Sequence, residues 1–246
     1  MAQAYDYLSE WFEFLNDDCD YALWSQYFIE GLSRFGAGWK GLELGCGSGA
    51  FCRALARAGY GMTGMDISAP MLSKAARLAR EEGLDIPFLQ ADAETFCAPR
   101  KFDFVLSPND CYNYVAQRDL EPAFRRVAAA LKKNGIFWFD ISSAYKLREK
   151  VANNIFADDR EEVTYLSFNT LYPDRVRMEV TLFARESDGK FRRFDETHLQ
   201  YIHEEENVLR ALKNAGFAVI AEEGHLGAEK SGSDRLNFIC VKRAES

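Results

Sequence analysis

The sequence predicts an α/β fold: a doubly wound seven-stranded sheet, mostly parallel with one antiparallel strand near the C-terminus, plus a small antiparallel β insertion. Three observations predict it. Short apolar runs alternate with amphipathic helical stretches through five strand-helix units up to Ile141. Alternating apolar and polar stretches separated by Pro and Gly turns then occupy Val163 to Ile202. Finally the chain returns to one helix and two strands too close together for another helix, so those two strands form a hairpin.

The first unit carries the most information. Gly41 to Gly49 reads Gly-Leu-Glu-Leu-Gly-Cys-Gly-Ser-Gly, a short buried strand through Leu42 and Leu44 that breaks into alternating glycines. Ala50 to Ala58 then places Phe51, Leu55 and Ala58 on one helical face and Arg53 and Arg57 on another. A strand, a glycine turn and a helix N-terminus leave backbone N–H groups bare to a polar cofactor. A dinucleotide fingerprint, G-x-G-x-x-G with an acidic residue about 20 positions on, is nearly met, because Ala50 at the final position is permitted; spacing alone leaves NAD open. Glu43 points elsewhere. It stands inside the strand where Val or Ile is ordinary, and a buried carboxylate suits a cofactor with a positive centre and a free amino group while repelling a pyrophosphate.

Glu43-x-Gly45-x-Gly47-x-Gly49 resembles the first motif of the class I S-adenosylmethionine-dependent methyltransferases of small-molecule type, and the resemblance extends over most of the chain. It implies S-adenosyl-L-methionine as cofactor. It also implies cofactor contacts from Glu43, Gly45, Cys46 and Gly47, from Asp66 and Ile67 after the second strand, from Asp92 and Ala93 after the third, and from Ser107 after the fourth. An N-terminal aromatic segment folds over the cofactor in many such enzymes, and Tyr5-Asp6 and Tyr21-x-x-Trp24 are similar to it, which makes Tyr21 and Trp24 cofactor candidates and Tyr5 a substrate candidate.

The rest of the chain fits the same frame. Residues 1 to 38 are aromatic-rich, and Tyr21, Trp24, Phe28 and Leu32 share one helical face, a pattern that also describes plain core contact. Strand Gly61 to Met65 ends at Asp66; an acid there accepts hydrogen bonds from ribose hydroxyls, or caps the helix that Ser68 and Pro70 announce. That helix runs from Ala69 to Glu82 and stops at Gly83. Strand Phe88 to Gln90 leads to Asp92, whose alternative role is an Asx turn. Strand Phe102 to Leu106 precedes Ser107-Pro108-Asn109-Asp110, a partial match to the Asn-Pro-Pro-Tyr signature of methyltransferases acting on planar nitrogens; the departure argues against nucleobase or glutamine acceptors. A helix from Asp119 to Leu131, a central strand Ile136 to Ile141, a three-stranded insertion, a helix Glu204 to Asn214 and strands Phe217 to Ala221 and Leu236 to Lys242 complete the reading. Four segments follow: a helical lid over 1–38, a cofactor-binding core over 39–150, a covering β insertion over 151–203, and completion of the core over 204–246.

Composition sets the outer bounds. The chain has 246 residues, enough for a full α/β core with an insertion, and 48% hydrophobic content with well-mixed charge predicts a folded protein. A net charge of −8 disfavours nucleic-acid partners. No apolar run of membrane-spanning length occurs, and Met1 to Asp6 lacks a signal-like pattern, so a cytoplasmic, non-membrane protein is expected. The six cysteines form no C-x-x-C and no His cluster joins them, so no metal site is expected.

Methyl transfer from a sulfonium is an in-line displacement in which the enzyme chiefly aligns and desolvates the nucleophile. A base is needed only where the acceptor arrives protonated. Of the three histidines, His198 and His203 lie on the predicted covering strands, while a lone histidine is as readily a packing residue. His198 and Tyr112 are the catalytic candidates, and Asn109, Asp110, Asn113 and His198 the substrate candidates together with Tyr5. The expected reaction is methylation of a nitrogen or oxygen on a small neutral or cationic molecule; a cofactor-binding regulator and an NAD-dependent oxidoreductase are the alternatives.

Overall fold

The computed structural model describes residues 7–17 and 19–243. The seven-stranded sheet is built from β1 (Lys40–Leu44), β2 (Gly61–Asp66), β3 (Phe88–Gln90), β4 (Phe102–Ser107), β5 (Leu131–Ser142), β10 (Phe217–Glu223) and β11 (Arg235–Lys242), in the order β10-β11-β5-β4-β1-β2-β3. β1, β2, β3, β4 and β5 pair in parallel, whereas β11 runs antiparallel to both β5 and β10. The expected terminal hairpin is therefore present, with β11 slotted between its partner and the rest of the sheet.

Helices cover both faces. α2 (Tyr21–Arg34), α3 (Ala50–Arg57) and α4 (Ala69–Glu81) pack on one, and α5 (Leu120–Ala130) and α6 (Glu205–Asn214) on the other. β5 shows why its sequence is apolar throughout. Phe137 and Phe139 enter the core beneath α5, while Ile136 and Trp138 enter the core beneath α2, so a strand buried on both sides has no polar alternation to display. Rings stack through this centre, with Phe137 and Phe139 centroids 4.7 Å apart.

Two local expectations need correction. β5 begins at Leu131, opposite Phe102, and its register then slips so that Ile136 meets Phe104; the Lys132–Gly135 segment bulges out, with Asn134 at φ 59°. The insertion has four strands, in the order β6 (Ile155–Asp159), β7 (Val163–Tyr172), β8 (Arg175–Arg185) and β9 (Phe191–Tyr201). β6 escapes a pattern search because it is an exposed edge strand of five residues whose burial does not alternate. A π-helical turn, Lys146–Val151, joins β5 to this sheet.

The remaining helix, α1 (Leu8–Leu15), straddles the two sheets. Glu13 accepts a hydrogen bond from Ser48 Oγ at 2.5 Å and pairs with Lys74 at 3.4 Å. On its other side, Leu8 packs against Val163, Val180 and Leu182 of the insertion, and Arg160 reaches the Phe14 carbonyl and Asp17.

Candidate active site

The C-terminal ends of β1, β2, β3 and β4 converge on a cavity of about 360 Å³, roofed by Phe12 of α1 and Tyr21 of α2. Its floor is the glycine turn after β1. Gly45 adopts φ +68°, and a Cβ there would come within 2.6 Å of Cys111 Sγ, so both conformation and contact require glycine. Gly49, at φ 76°, forms the N-cap of α3 without a side-chain cap, leaving the helix N-terminus next to the cavity floor.

Glu43 is 1% exposed and lines this cavity, yet its Oε2 has no hydrogen-bond partner among the described residues. Burial pushes its carboxyl up to about 8, against hydrogen bonds from Cys52 that lower it. An uncompensated buried carboxyl of this kind is a receptor for a cation with N–H donors.

Asp66 performs two tasks at once. Its Oδ2 accepts the Gly47 N–H at 2.7 Å and its Oδ1 the Ser68 N–H at 2.8 Å, which ties β2 to the glycine turn. The Ile67 N–H also bears on it, and a carboxylate with about four acceptor positions keeps capacity for a further hydroxyl donor. The cap of α4 is Ser68, which accepts from Met71 N–H, and the helix-cap reading of Asp66 falls away. Asp92 accepts the Glu94 N–H at 2.7 Å, so its Asx turn is real, while Asp92, Ala93 and Ile67 still line the cavity. Cys46 and Gly47 line it as well.

A second cavity of about 660 Å³ adjoins the first and shares Tyr21 and Asn109 with it. Lys146, Lys150, His225, Asp234 and Arg235 surround it. Asn109 and Asp110 both take positive φ, 61° and 54°, and their N–H groups donate to Asp140 Oδ2 and Oδ1 at 2.9 and 2.8 Å. Arg235 completes that carboxylate's shell and donates to Asn109 Oδ1. A larger open groove between α1, α4 and the insertion has basic walls, including Lys74, Arg77 and Arg192, but no glycine turn and no buried carboxyl.

Several expected site residues lie elsewhere. Trp24 is 4% exposed and borders the second cavity rather than the cofactor cavity, because its ring packs on Phe51 and beneath the Arg235 guanidinium, 4.8 Å away. Ser107 is fully buried below the floor and donates to the Leu44 carbonyl. Tyr112 points into the aromatic core with Phe124, Phe137 and Phe139, away from the cavity. Asn113 bridges Ser142 and the Tyr201 carbonyl, joining the two sheets. Asp110 turns its carboxylate to Ser142 Oγ and Gln200. His198 is buried behind the cavity wall, and His203 is tied to the Tyr112 carbonyl and Gln117. Tyr5 lies outside the described residues. Sequence reasoning missed Phe12, Tyr114 and Val115, which line the cavity, and Arg235, which borders the second one; only Phe12 carried a signal, as part of the aromatic N-terminal segment.

Comparison with known proteins decides the family. Residues 42–135 match the family described as Methyltransferase domain. The crystal structure of an S-adenosylmethionine-dependent methyltransferase from Clostridium acetobutylicum ATCC 824 superposes with a TM-score of 0.87 at 28% identity, covering 95% of this chain and 96% of that one. "Putative methyltransferase YqeM" of Bacillus subtilis (strain 168) is 31% identical over 201 residues, 80% of this chain and 79% of its own length. The chain is a class I S-adenosylmethionine-dependent methyltransferase. A relative of the same description from Geobacillus sp. (strain WCH70) is 29% identical over 246 residues, spanning 97% of this methyltransferase and 100% of its own chain. S-adenosylmethionine is thus the cofactor of this methyltransferase, and the regulator and oxidoreductase alternatives are set aside. The orphaned Glu43 oxygen and the Cβ-free cradle at Gly45 fit that cofactor. No helix of the described residues is long and apolar enough to cross a membrane.

Proposed function

We propose that the enzyme moves the methyl group of S-adenosylmethionine by in-line displacement onto a nitrogen or oxygen of a small molecule held in the second cavity. The observation that carries this reading is the shared wall: Tyr21 and Asn109 border both cavities, so an acceptor in one abuts the cofactor in the other. Both volumes fall in the range of small-molecule sites, roughly 300–1,000 Å³, which favours a metabolite over a polymer. Lys146, whose ammonium hydrogen-bonds Ser142 Oγ, favours an acceptor that also carries an anionic or hydrogen-bond-accepting group.

When bound, the sulfonium supplies an electrophilic methyl carbon. The chain supplies the alignment. Glu43 holds the amino group, Asp66 the ribose hydroxyls, and Asp92 with Ala93 the adenine edge, while the backbone at Gly45, Cys46 and Gly47 admits the cofactor closely and Ile67 packs beside it. Phe12 and Tyr21 exclude water from above, and Asn109 orients the acceptor at the junction. In this reading residues 1–38 serve as lid, 39–150 as cofactor core, 151–203 as substrate cover and 204–246 as the completing segment.

The test is transfer of tritium from methyl-labelled S-adenosylmethionine into fractionated amine- and hydroxyl-bearing metabolites. Label is expected in an N- or O-methylated small molecule. Label confined to protein, nucleic acid or a methyl thioether would overturn the proposal.

A further inference from the structure

We propose that the methyl acceptor carries an anionic oxo group, a carboxylate or a phosphate, and that Lys146 and Arg235 hold this group in the second cavity. This deepens the reading of that cavity as the acceptor site and rests on it, and it replaces the neutral or cationic acceptor expected from the sequence.

The two cations are neighbours. Arg235 and Ser142 are register partners across β11 and β5, and Lys146 Nζ donates to Ser142 Oγ at 3.2 Å. Both side chains line the second cavity, where the Trp24 ring covers one face of the guanidinium. Each cation has donors to spare. Among the described residues the guanidinium engages Asp140 Oδ1 and Asn109 Oδ1, and the rest of its fork is open. The Lys146 ammonium engages the neutral Ser142 hydroxyl and forms no ion pair among the described residues.

The carboxylates nearby are turned to other donors. Of those lining the cavity, Asp234 pairs with Lys150 at 2.8 Å and Asp20 accepts the Leu23 N–H as the cap of α2. Asp140 and Asp110 balance part of the charge but line neither cavity, and Asp110 accepts from Ser142 Oγ and Gln200. His225 reports the sign that results. Its ring meets Trp24 edge-on at the same wall, 5.1 Å between centroids. Burial holds its imidazole below the ordinary range, and Arg235 pushes the same way more strongly than Asp140 opposes, with Lys146 adding to it. The potential at this wall is therefore positive after the acids are counted.

Open N–H donors in a positive field call for acceptor oxygens that carry negative charge. A carboxylate or a phosphate supplies them, and a guanidinium fork matches the geometry of either. An ammonium would bring further donors into a wall that already has too many. The anionic group is an anchor. It enters and leaves unchanged, while the methyl goes to a different nitrogen or oxygen of the same molecule at the junction marked by Tyr21 and Asn109.

The test uses the full chain with 15N-tryptophan labelling and saturating S-adenosylhomocysteine, following the Trp24 indole N–H, which is assigned by loss of its signal in Trp24→Phe. Sodium acetate, sodium phosphate and methylammonium chloride are titrated in turn at constant ionic strength. A saturable shift with acetate points to a carboxylate and one with phosphate to a phosphate ester, and methylammonium is expected to give none. Lys146→Met is expected to weaken anion binding roughly 10-fold or more, and Lys146→Arg to keep it. No saturable shift with either anion, a shift with methylammonium, or an anion shift unchanged in Lys146→Met would overturn the inference. The tritium screen separates it from the reading beneath: the labelled product is expected to show a carboxylate or phosphate by mass spectrometry, and Lys146→Met to raise its KM more than it lowers kcat. An N- or O-methylated small molecule with neither group would overturn the anchor and leave the proposed function standing. Label confined to protein, nucleic acid or a methyl thioether would overturn the proposed function itself, and the anchor with it.

Discussion

Arg235 on β11 closes an ion pair on Asp140 of β5, and the carboxylate it neutralises is the one that holds the left-handed Asn109–Asp110 corner. Asp140 is fully buried. Its burial raises its carboxyl, opposed by Arg235. The corner between the two cavities is therefore set by a charge pair whose members lie 95 positions apart in sequence.

Removing one member should be severe. Arg235→Ala leaves a buried carboxylate without its counter-ion, expected to cost about 3–5 kcal/mol and to lower Tm by roughly 6–20 °C. Adding Asp140→Asn to that variant should recover part of the loss in thermal melts. Equal melting of the single and double variants would show that the pair is not what is lost.

Glu43 is expected to make cofactor binding proton-linked. With its carboxyl raised to about 8, the empty site is protonated near neutral pH, and gaining the cofactor's ammonium favours ionisation. Binding below that pH should release up to one proton, read by calorimetry in buffers of different ionisation enthalpy. Glu43→Gln should abolish the release and weaken binding by roughly 1.5–3 kcal/mol.

The same group should mark the stability curve. A folded-state value above the unfolded carboxylate range means the contribution is fully present below the unfolded value and is lost as pH rises towards about 8. Chemical denaturation of the cofactor-free protein should therefore show Glu43→Gln gaining on the parent across that window. A constant difference between the two would argue that the carboxyl titrates normally.

Asp66→Ala should weaken S-adenosylmethionine and S-adenosylhomocysteine alike, by roughly 1–3 kcal/mol, because the ribose is common to both. The variant also frees Gly47 N–H, so hydrogen exchange at that amide should speed up even without cofactor. Selective loss of one of the two ligands would place Asp66 at the sulfur rather than at the ribose.

Gly45→Ala tests the floor directly. Left-handed backbone costs an L-residue roughly 1–2 kcal/mol, and the new Cβ would meet Cys111 Sγ at 2.6 Å. Calorimetry should find cofactor binding lost while the far-ultraviolet spectrum stays that of the parent.

The lining of the first cavity was legible because it is local. Glu43 and the glycines occupy a single turn, and Asp66 and Asp92 end strands whose apolar runs announce them. The contacts around the second cavity and behind the wall of the first were not, for the opposite reason. Tyr114 meets His198 across 84 positions, and Arg235 meets Asp140 across 95, so no window of sequence contains either pair. Trp24 and Tyr112 were misplaced because an aromatic at helical or loop spacing looks the same whether its ring enters a cavity or the core; here Phe51 and Phe124 respectively claim them. Local pattern also hid β6, whose five residues are paired on one side and bare on the other.

The position of β11 has a consequence for how the molecule comes to exist. The last strand in sequence is an interior strand of the sheet, flanked by β5 and β10. While a ribosome is still short of residue 235, β5 is an open edge and Asp140 has no counter-ion, so the nascent chain can assemble the glycine turn yet cannot lock the corner at Asn109. Closure of the wall between the two cavities thus waits until β11 has been synthesised and can enter the sheet.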